Sequence, residues 1–363
     1  MNMIAMFNYN RSDDELFNAV VDGAVESVRL TLNGIEDRKA YEEMQSLIND
    51  KAVKLATVGT RYEKNYEAEG AACLKNPNVA KNCRANFDAV IAEIINAAIP
   101  MTTSKKFGET FMEIHQVGFG DTARFLISSN DLFKVNEVAE GVQRGVLQPI
   151  YNDEITVNAS PIQIATAVDF YAVAAGNFDW GNFGLRAGYS FNGAIMLRAI
   201  AALASATTNL GAAYTQAGVS TNSWATLVSR VSAANGGAPV YALGTLPALN
   251  QCVPSTVGLQ YGLGQEVAKE GFLDKYLSAR LIPLDQFIVA GTVNSTAQLG
   301  LKDDKVYLVA ADQYKPVKVI YEGMSVVVEM DKDQTTDKTY RIWVTMRVGV
   351  AAVVGSKFGV ITL

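Results

Sequence analysis

The first hundred residues carry apolar side chains at helical spacing. Ser12 and Glu15 form a capping box, in which a hydroxyl and a carboxylate satisfy free backbone amides at the start of a helix. Gly34 stands where a left-handed residue ends a helix. The pattern predicts a first helix ending before Gly34, a second over residues 37–57 and a third over 79–98. The stripe of the first helix is formed by Leu16, Phe17, Val20, Val21, Ala24, Val25, Val28 and Leu32.

Residues 111–173 have a different character. Short runs rich in β-branched and aromatic residues are separated by Gly, Asn and Asp, which predicts strands. Several of these runs contain few large apolar residues, and a strand pair without a core of its own must lie on another surface. This region therefore predicts a β arm that packs on a neighbouring subunit.

The rest of the chain alternates helices and strands before a β-rich end. Residues 179–206 predict a long helix with apolar residues on more than one face, and Asn235-Gly236-Gly237 predicts a turn. Residues 325–330 and 340–348 alternate apolar and polar side chains with period two, which is typical of a hairpin with one wet face. Further helices are predicted over 223–234 (starting at a serine cap), 246–252 and 265–277, and further strands over 240–243, 281–290, 306–310, 350–354 and 359–363.

The composition is that of a folded chain without a strong attraction for nucleic acid. Of the 363 residues, 49% are hydrophobic and 19% are charged, which suits two subdomains or one elaborated domain. The net charge of −6 excludes a protein that grips DNA over its whole surface, because such proteins carry a clear excess of Lys and Arg. The most apolar stretch, 187–206, contains Asn192 and Arg198, so it predicts a buried helix and no membrane span. No secretory signal pattern is expected at the N-terminus.

Nucleophilic and metal chemistry lack their usual residue sets. His115 is the only histidine, and it stands in a predicted strand over 112–117 without a nucleophile elbow. Cys73, Cys83 and Cys252 form no disulfide framework, and a zinc site would require about four clustered ligands. These residues are interpreted as a solvated strand histidine and reduced thiols.

Three further patterns resemble ligand or catalytic motifs but fail at a necessary position. Residues 118–123 have the G-x-G-x-x-A form, but the residues after them predict a strand where a dinucleotide site needs a helix. The loop from Asp331 spaces its acids like a calcium loop, but Thr336 occupies the glycine position. The adjacent acids Asp153 and Glu154 point to opposite faces of a strand, unlike a glycosidase pair. The sequence therefore predicts no catalytic residue, no cofactor, no metal ligand and no enzymatic activity.

Three stretches, together with the order of the elements, carry a resemblance to a known family. They are Asn177-Phe178-Asp179-Trp180-Gly181, then Gly271-Phe272-Leu273 with Leu281-Ile282-Pro283-Leu284, and finally Arg347-Val348-Gly349-Val350-Ala351 with Phe358-Gly359-Val360-Ile361. The chain resembles the major capsid proteins of tailed bacteriophages, which have the Hong Kong 97-like fold.

The resemblance implies an α+β fold with an N-terminal arm, an extended β-hairpin arm called the E-loop, a P domain with a long spine helix, and an A domain. The implied boundaries are 1–61 for the helical N-terminal arm, 62–107 for the helical approach to the P domain, 108–176 for the β E-loop region, 177–237 for the P domain with its spine helix, 238–321 for the α/β A domain and 322–363 for the P-domain C-terminal strands.

Two features found in some members of that family do not carry over. A cleaved scaffolding segment at the N-terminus would need to be longer than residues 1–61 and less apolar, so we expect a separate scaffold protein or none. Covalent welding of subunits joins a Lys in the E-loop to an Asn in the P domain. Lys134 lies in the arm, but no Asn follows Ser325. We therefore expect non-covalent assembly or cementing proteins.

The resemblance implies a major capsid protein that self-assembles as pentamers and hexamers into the icosahedral head shell around the double-stranded DNA genome of a tailed phage. Implied partners are copies of itself, portal and scaffold proteins and cement proteins, with weak non-specific contact to packaged DNA and no membrane. The implied location is the virion capsid, assembled in the bacterial host cytoplasm.

Three alternatives stay open on the residues alone. One is an encapsulin-like shell protein of a cellular compartment, and another is a tail or baseplate protein that forms rings or tubes. The third is an α/β enzyme that uses residues 240–310 and has no recognisable motif. A ligand-dependent rise in melting temperature would favour the enzyme.

Overall fold

The protein is described by a computed structural model. It describes residues 15–35, 37–58, 62–75, 94, 112–118, 120–128, 135, 152–169, 177–253, 273–310, 315–330, 339–352 and 358–363. The chain divides into two compact units. The first comprises Met1–Thr103, Ser160–Ala194 and Tyr321–Val348, and the second comprises Ser104–Ala159, Ile195–Ile320 and Gly349–Leu363.

Helices and strands alternate along the described chain. The helices are α1 (Glu15–Asn33), α2 (Arg38–Thr57), α3 (Glu63–Glu69), α4 (Trp180–Ala206), α5 (Thr221–Ala234) and α6 (Leu246–Cys252), and short 3₁₀ helices cover Gly70–Lys75, Thr207–Asn209 and Ala212–Tyr214. The strands are β1 (Met112–Val117), β2 (Ala123–Ser128), β3 (Asn152–Val157), β4 (Ser160–Asp169), β5 (Thr215–Ala217), β6 (Val240–Gly244), β7 (Lys275–Tyr276), β8 (Ala279–Pro283), β9 (Lys305–Ala310), β10 (Val317–Met330), β11 (Thr339–Ala352) and β12 (Gly359–Thr362). None of these helices is long and apolar enough to cross a membrane.

The helical start of the first unit follows the apolar spacing. Asp37 caps α2 by accepting hydrogen bonds from the backbone amides of Lys39 and Ala40, at 3.0 and 3.1 Å. Gly34 has a φ of 89°, the left-handed conformation predicted at the end of α1. The Ser12 capping box lies outside the described residues, as does the predicted 79–98 helix except for Ile94, which is helical and buried. Helix α3 was not predicted, because its polar sequence has no apolar stripe.

The first unit also contains the antiparallel pairing of β4 and β11. Ile164 lies opposite Val344, and Gln163 lies opposite Thr345, where the two side chains share a 3.0 Å hydrogen bond. Strand β10 lies on the other side of β11. Val344 and Met346 are buried while Thr345 and Arg347 are more exposed, which confirms the predicted alternation for this part of β11.

The second unit contains a mixed six-stranded sheet in the order β5-β12-β9-β6-β8-β7. The β5–β12 and β6–β8 pairs are parallel, and the other pairs are antiparallel. Helices α5 and α6 pack on this sheet over a shared apolar core, so the predicted α/β character is confirmed. The core includes Trp224, Leu227, Val231, Ala242, Leu249, Leu281, Val306, Leu308 and Ile361.

Several predicted element ends were wrong for local reasons. Lys275–Tyr276 forms β7, so the predicted 265–277 helix is wrong at its end, and its other residues up to 272 lie outside the described part. Strand β8 ends at Pro283, because proline lacks the amide that would continue a ladder. Helix α5 begins at Thr221 and is capped by Ser220 and Ser223 together. The predicted 350–354 strand begins as a continuation of β11 through Ala352.

The last strand changes one predicted grouping. Residues 322–363 were expected to form strands of one domain. Strand β12, however, lies between β5 and β9 in the six-stranded sheet. Strand β12 thus pairs with strands other than β10 and β11, and the implied domain boundaries stay predictions.

Candidate functional site

For a chain expected to act by assembly, the candidate functional residues are those that hold its projecting elements in place. The β arm of the second unit begins with the antiparallel hairpin of β2 and β3, which pairs Ala123 with Val157 and Ser128 with Asn152. Arg124 and Glu154 form an exposed ion pair across it at 3.3 Å. Such an exposed pair adds little stability, so the hairpin depends on what lies beneath it.

The apolar support of this hairpin is small. Its buried cluster contains only Ala123, Phe125, Val157 and Ile320 within the described part of the chain. The large six-stranded core of the same unit is a separate cluster. The described part of the pair therefore packs on a small cluster, and contact of the arm with a neighbouring subunit stays a prediction.

A buried cation lies beside this cluster. Lys318, 9% exposed, donates a hydrogen bond to Glu113, and its ammonium lies 5.7 Å from the centre of the Phe125 ring. His115 also contacts the Glu113 carboxylate, and its ring meets Phe125 edge-on at 5.0 Å. Burial acts to raise the pKa of Glu113, but the hydrogen bonds from Lys318 and His115 outweigh it and lower that pKa. The base of the arm is thus held by one charge cluster and one aromatic ring.

Gly349 permits a close approach in the same place. A Cβ on this residue would lie 2.7 Å from the backbone oxygen of Asn158 and 2.7 Å from a side-chain carbon of Ile320. Both distances are shorter than van der Waals contact, so a larger residue would push the β3–β4 connection away from β11.

The start of the long helix in the first unit is the second anchoring point. Trp180 is fully buried, and its indole nitrogen donates to Asn49 Oδ1 at 2.9 Å. The backbone amide of Trp180 donates to Gln45 Oε1 at 3.1 Å, and Asn49 Nδ2 donates to the Phe178 carbonyl at 3.0 Å. Two amide side chains of α2 therefore satisfy the backbone and the indole at the start of α4.

Asp179 completes this junction. Its carboxylate accepts from the backbone amide of Asn182 at 3.0 Å, as a helix cap does, and from the Tyr41 hydroxyl at 2.7 Å. Burial raises the pKa of Tyr41 to about 12, although the hydrogen bond with Thr31 acts in the opposite direction. Tyr41 therefore stays a neutral hydrogen-bond donor at physiological pH.

The sequence analysis overlooked the α2 half of this junction. Tyr41, Gln45 and Asn49 recur every four residues, so they share one helix face. That spacing was the available signal, and the sequence analysis predicted only the helix itself, over residues 37–57. Lys318 was also missed, because no local pattern marks a lysine that is buried beside Glu113.

The candidate residues named from the sequence either lie away from the two contact sites described above or contribute only to holding the structure together. His115 lies in β1, as predicted, with its side chain 47% exposed. The Asp121 amide donates to the Gly118 carbonyl at 3.1 Å, and strand β2 follows from Ala123, where a strand was expected in place of a helix.

The remaining candidates are divided between buried positions and the part of the chain that is not described. Cys73 and Cys252 are both buried, at 1% exposure. Cys83, Lys134 and the loop from Asp331 lie outside the described residues. No group of three or more potential metal ligands occurs among the residues that the structure describes.

Comparisons with known proteins give one family and several similar folds. The sequence profile of a family described as "SPbeta prophage-derived putative capsid protein YonB" matches residues 14–362. No curated protein sequence matches the chain. Similar solved structures include the capsid of cyanophage P-SCSP1u, with 14% identity over 69% of this chain and 85% of that chain and a TM-score of 0.44. The mature capsid of bacteriophage PhiM1 has 10% identity over 72% and 87% with a TM-score of 0.46, and the holo-SrpI encapsulin complex from Synechococcus elongatus has 11% identity over 72% and 88% with a TM-score of 0.38.

Proposed function

This chain belongs to the family of the SPbeta prophage-derived capsid protein YonB, and from that premise we propose that it is the repeating subunit of a phage head shell. The family match confirms the capsid function that the resemblance implied, and it favours that function over a cellular compartment or an enzyme. We propose further that the subunit assembles as pentamers and hexamers around double-stranded DNA, without catalytic activity.

The observation that carries the assembly proposal is the arm of the second unit. Its described hairpin shares a small apolar cluster with Ile320 of β10, and an isolated two-stranded hairpin is marginal in water. An arm of this kind gains stability when it lies on a second surface, and a neighbouring copy supplies that surface in every position of a closed shell. Each contact can be modest, because many act together.

The charge supports the proposed relation to DNA. A formal net charge of −6 disfavours tight binding to a polyanion. We therefore propose weak, non-specific contact with the packaged genome. A portal, a scaffold and cement proteins remain proposed partners, as does assembly in the host cytoplasm.

Negative-stain electron microscopy of the chain, expressed alone and together with a scaffold from the same gene neighbourhood, tests the shell function. Closed shells or rings of five and six subunits are expected in at least one of the two preparations. A uniform monomer or dimer in both, at high protein concentration, would overturn the shell proposal.

Deletion of residues 130–138, at the predicted tip of the arm, tests the role of the arm. We expect a soluble, folded subunit that forms no shells, because the surface that holds a neighbour is lost. Replacing the same nine residues with a Gly/Ser segment of equal length is the matched control for chain length. Normal shells from both variants would contradict the role of the arm and leave the shell function standing.

A further inference from the structure

A groove lies between the start of α2 and the residues just before α4, within the first unit. Its volume is about 710 Å³, which is in the range of clefts that bind ligands. The side chains of its wall that matter below are Ile35, Arg38, Tyr41, Gln45, Phe178 and Asp179. Their chemistry indicates what kind of occupant the groove fits.

Gln45 brings a buried hydrogen-bond donor to this wall. The residue is 6% exposed, and its Oε1 accepts from the Trp180 backbone amide at 3.1 Å. Because only the oxygen of a carboxamide can accept, this bond fixes which end of the side chain is Nε2. Nε2 makes no hydrogen bond to any residue that the structure describes.

A contact between Gln45 and Tyr41 is too weak to satisfy this donor. Burial raises the pKa of the Tyr41 hydroxyl to about 12, and the contact with Gln45 is the smallest of the influences that act on that pKa. The hydroxyl oxygen can in any case engage only one of the two hydrogens on Nε2. A buried donor without an acceptor is unfavourable, so the groove favours an occupant that supplies a carbonyl oxygen.

The groove also offers apolar surface. Ile35 is 42% exposed, and the Phe178 side chain is half-buried. Both side chains would lose contact with water beneath the apolar side chains of an occupant, which is favourable.

The charged groups of the groove already have partners. Arg38 pairs with Glu42 at 3.1 Å, and the Asp179 carboxylate accepts from the Tyr41 hydroxyl at 2.7 Å. A charged occupant would have to compete with these partners, whereas a neutral occupant leaves them in place. The groove therefore fits an uncharged peptide segment with apolar side chains.

The residues that precede α1 have this composition. Residues 1–10 contain no Asp, Glu, Lys or Arg, and the first five are Met1-Asn2-Met3-Ile4-Ala5. Methionine is unbranched and adapts to irregular apolar surfaces. Every residue of the segment also supplies a backbone carbonyl that can accept from Gln45.

The same residues are numerous enough to reach the groove. Helix α1 has 19 residues and is therefore about 28 Å long. The groove lies at its C-terminal end, because Ile35 follows directly after Asn33 and Gly34. An extended chain covers about 3.3 Å per residue, so about nine of the residues before Glu15 span the helix and about five remain for the groove.

Attachment to the same chain favours this occupant over the same segment of another copy. A segment that is tethered by a short linker has an effective concentration on the order of mM. The segment of another copy is present only at the concentration of the subunit, which is far lower in dilute solution. The groove is therefore expected to bind residues of its own chain first.

We propose that residues 1–5 bind in this groove of the same chain, with residues 6–14 running back along α1. A backbone carbonyl of the segment accepts a hydrogen bond from Gln45 Nε2, and its Met and Ile side chains cover Ile35 and Phe178. This inference goes beyond the proposed function, because it concerns a contact within one free subunit.

Photo-crosslinking of the full chain tests this contact. A photoreactive benzophenone amino acid in place of Met3 keeps the segment uncharged. In dilute subunit we expect its main cross-links to fall on residues 35–46 and 177–179, as identified by mass spectrometry. Main cross-links to any other part of the chain would overturn the inference.

An equal mixture of ¹⁴N-labelled and ¹⁵N-labelled subunits identifies the source of the segment. Cross-linked peptides that carry a single isotope are expected, because both halves come from one chain. Peptide pairs that combine the two isotopes would show that the segment comes from another copy, and would contradict the proposal.

Ile35→Asp tests the apolar wall of the groove. At least about fivefold fewer cross-links to the groove are expected, because the bound segment would have to bury a carboxylate. Leu47→Asp is the matched control, since Leu47 is 55% exposed on α2 and does not line the groove. Its cross-link yield should stay within about twofold of the unsubstituted chain. Unchanged cross-linking in Ile35→Asp, or an equal loss in Leu47→Asp, would overturn the inference.

Ile35→Ala replaces this test if Ile35→Asp lowers the melting temperature of the subunit. It removes apolar surface without adding a charge, and about threefold fewer cross-links to the groove are expected. An unchanged yield from Ile35→Ala would contradict the proposed contact.

Discussion

Trp180 and Trp224 are both fully buried, yet the two units hold them in different ways. The indole nitrogen of Trp180 donates to a side chain of α2 at 2.9 Å, and the ring meets Phe178 edge-on at 4.8 Å. The indole nitrogen of Trp224 reaches the Tyr276 carbonyl at 3.4 Å, a longer bond. Its ring lies 5.6 Å from the Tyr276 ring, within the apolar core of the six-stranded sheet.

The two tryptophans show the difference between directional hydrogen bonds and apolar packing. Gln45 and Asn49 fix the start of α4 through hydrogen bonds that are short and directional, so a wrong partner leaves polar atoms buried without one. The core around Trp224 is held by apolar area, which tolerates small shifts of position more readily. The position of Trp180 in the first unit therefore depends on particular hydrogen-bonded residue pairs. The position of Trp224 in the second unit depends on the volume of the apolar side chains around it.

The largest expected effect is shared by the two tryptophans. Trp180→Ala and Trp224→Ala should each lower the free energy of unfolding by about 3–5 kcal/mol, because each leaves a large cavity in a packed core. Urea unfolding of the unassembled subunit, followed by circular dichroism, measures both. If either variant lowers the free energy of unfolding by less than about 1 kcal/mol, the surrounding residues collapse into the space that the indole leaves. That outcome would contradict the tight packing assigned to this tryptophan.

Removal of the polar partner should affect only the first unit. Asn49→Ala is expected to cost about 2–3 kcal/mol, since both the Trp180 indole nitrogen and the Phe178 carbonyl lose a buried partner. Gln251→Ala, at an exposed position of α6, is the control and should stay within about 0.5 kcal/mol of the wild type. Equal free energies of unfolding for Asn49→Ala and Gln251→Ala would contradict the role of directional hydrogen bonds in the first unit.

The smallest effect is the sharpest test of the comparison. Phenylalanine keeps most of the apolar area of tryptophan but cannot donate a hydrogen bond. Trp180→Phe should therefore cost about 1–2 kcal/mol more than Trp224→Phe, because it leaves Asn49 Oδ1 unsatisfied. The same urea experiment gives the difference directly, and equal costs at the two positions would mean that packing governs both.

The elements that sequence analysis predicted well are those with a long local period. Helix α2 spans Arg38–Thr57 against a prediction of 37–57, and α4 spans Trp180–Ala206 against a prediction of 179–206. Strands β10 and β11 lie where strands were predicted, and both are longer than predicted.

The parts that were missed depend on partners far away in the chain. Asn49 and Trp180 are 131 residues apart, so nothing near either residue indicates the other. Lys318 can be buried because it donates a hydrogen bond to Glu113, which lies 205 residues away in the sequence. Without knowledge of that partner, a lysine in a strand pattern is expected to be exposed. Pairings of this kind are settled by the whole chain, since each depends on the other contacts being formed.

The sequence by itself determined the long helices α1, α2 and α4 and the left-handed stop at Gly34. The reason is that periodicity and capping act over a few neighbouring residues. Only the tertiary structure decided that β12 inserts between β5 and β9. A four-residue strand can pair with many edges, and the edge it takes is chosen by the burial that all the strands achieve together.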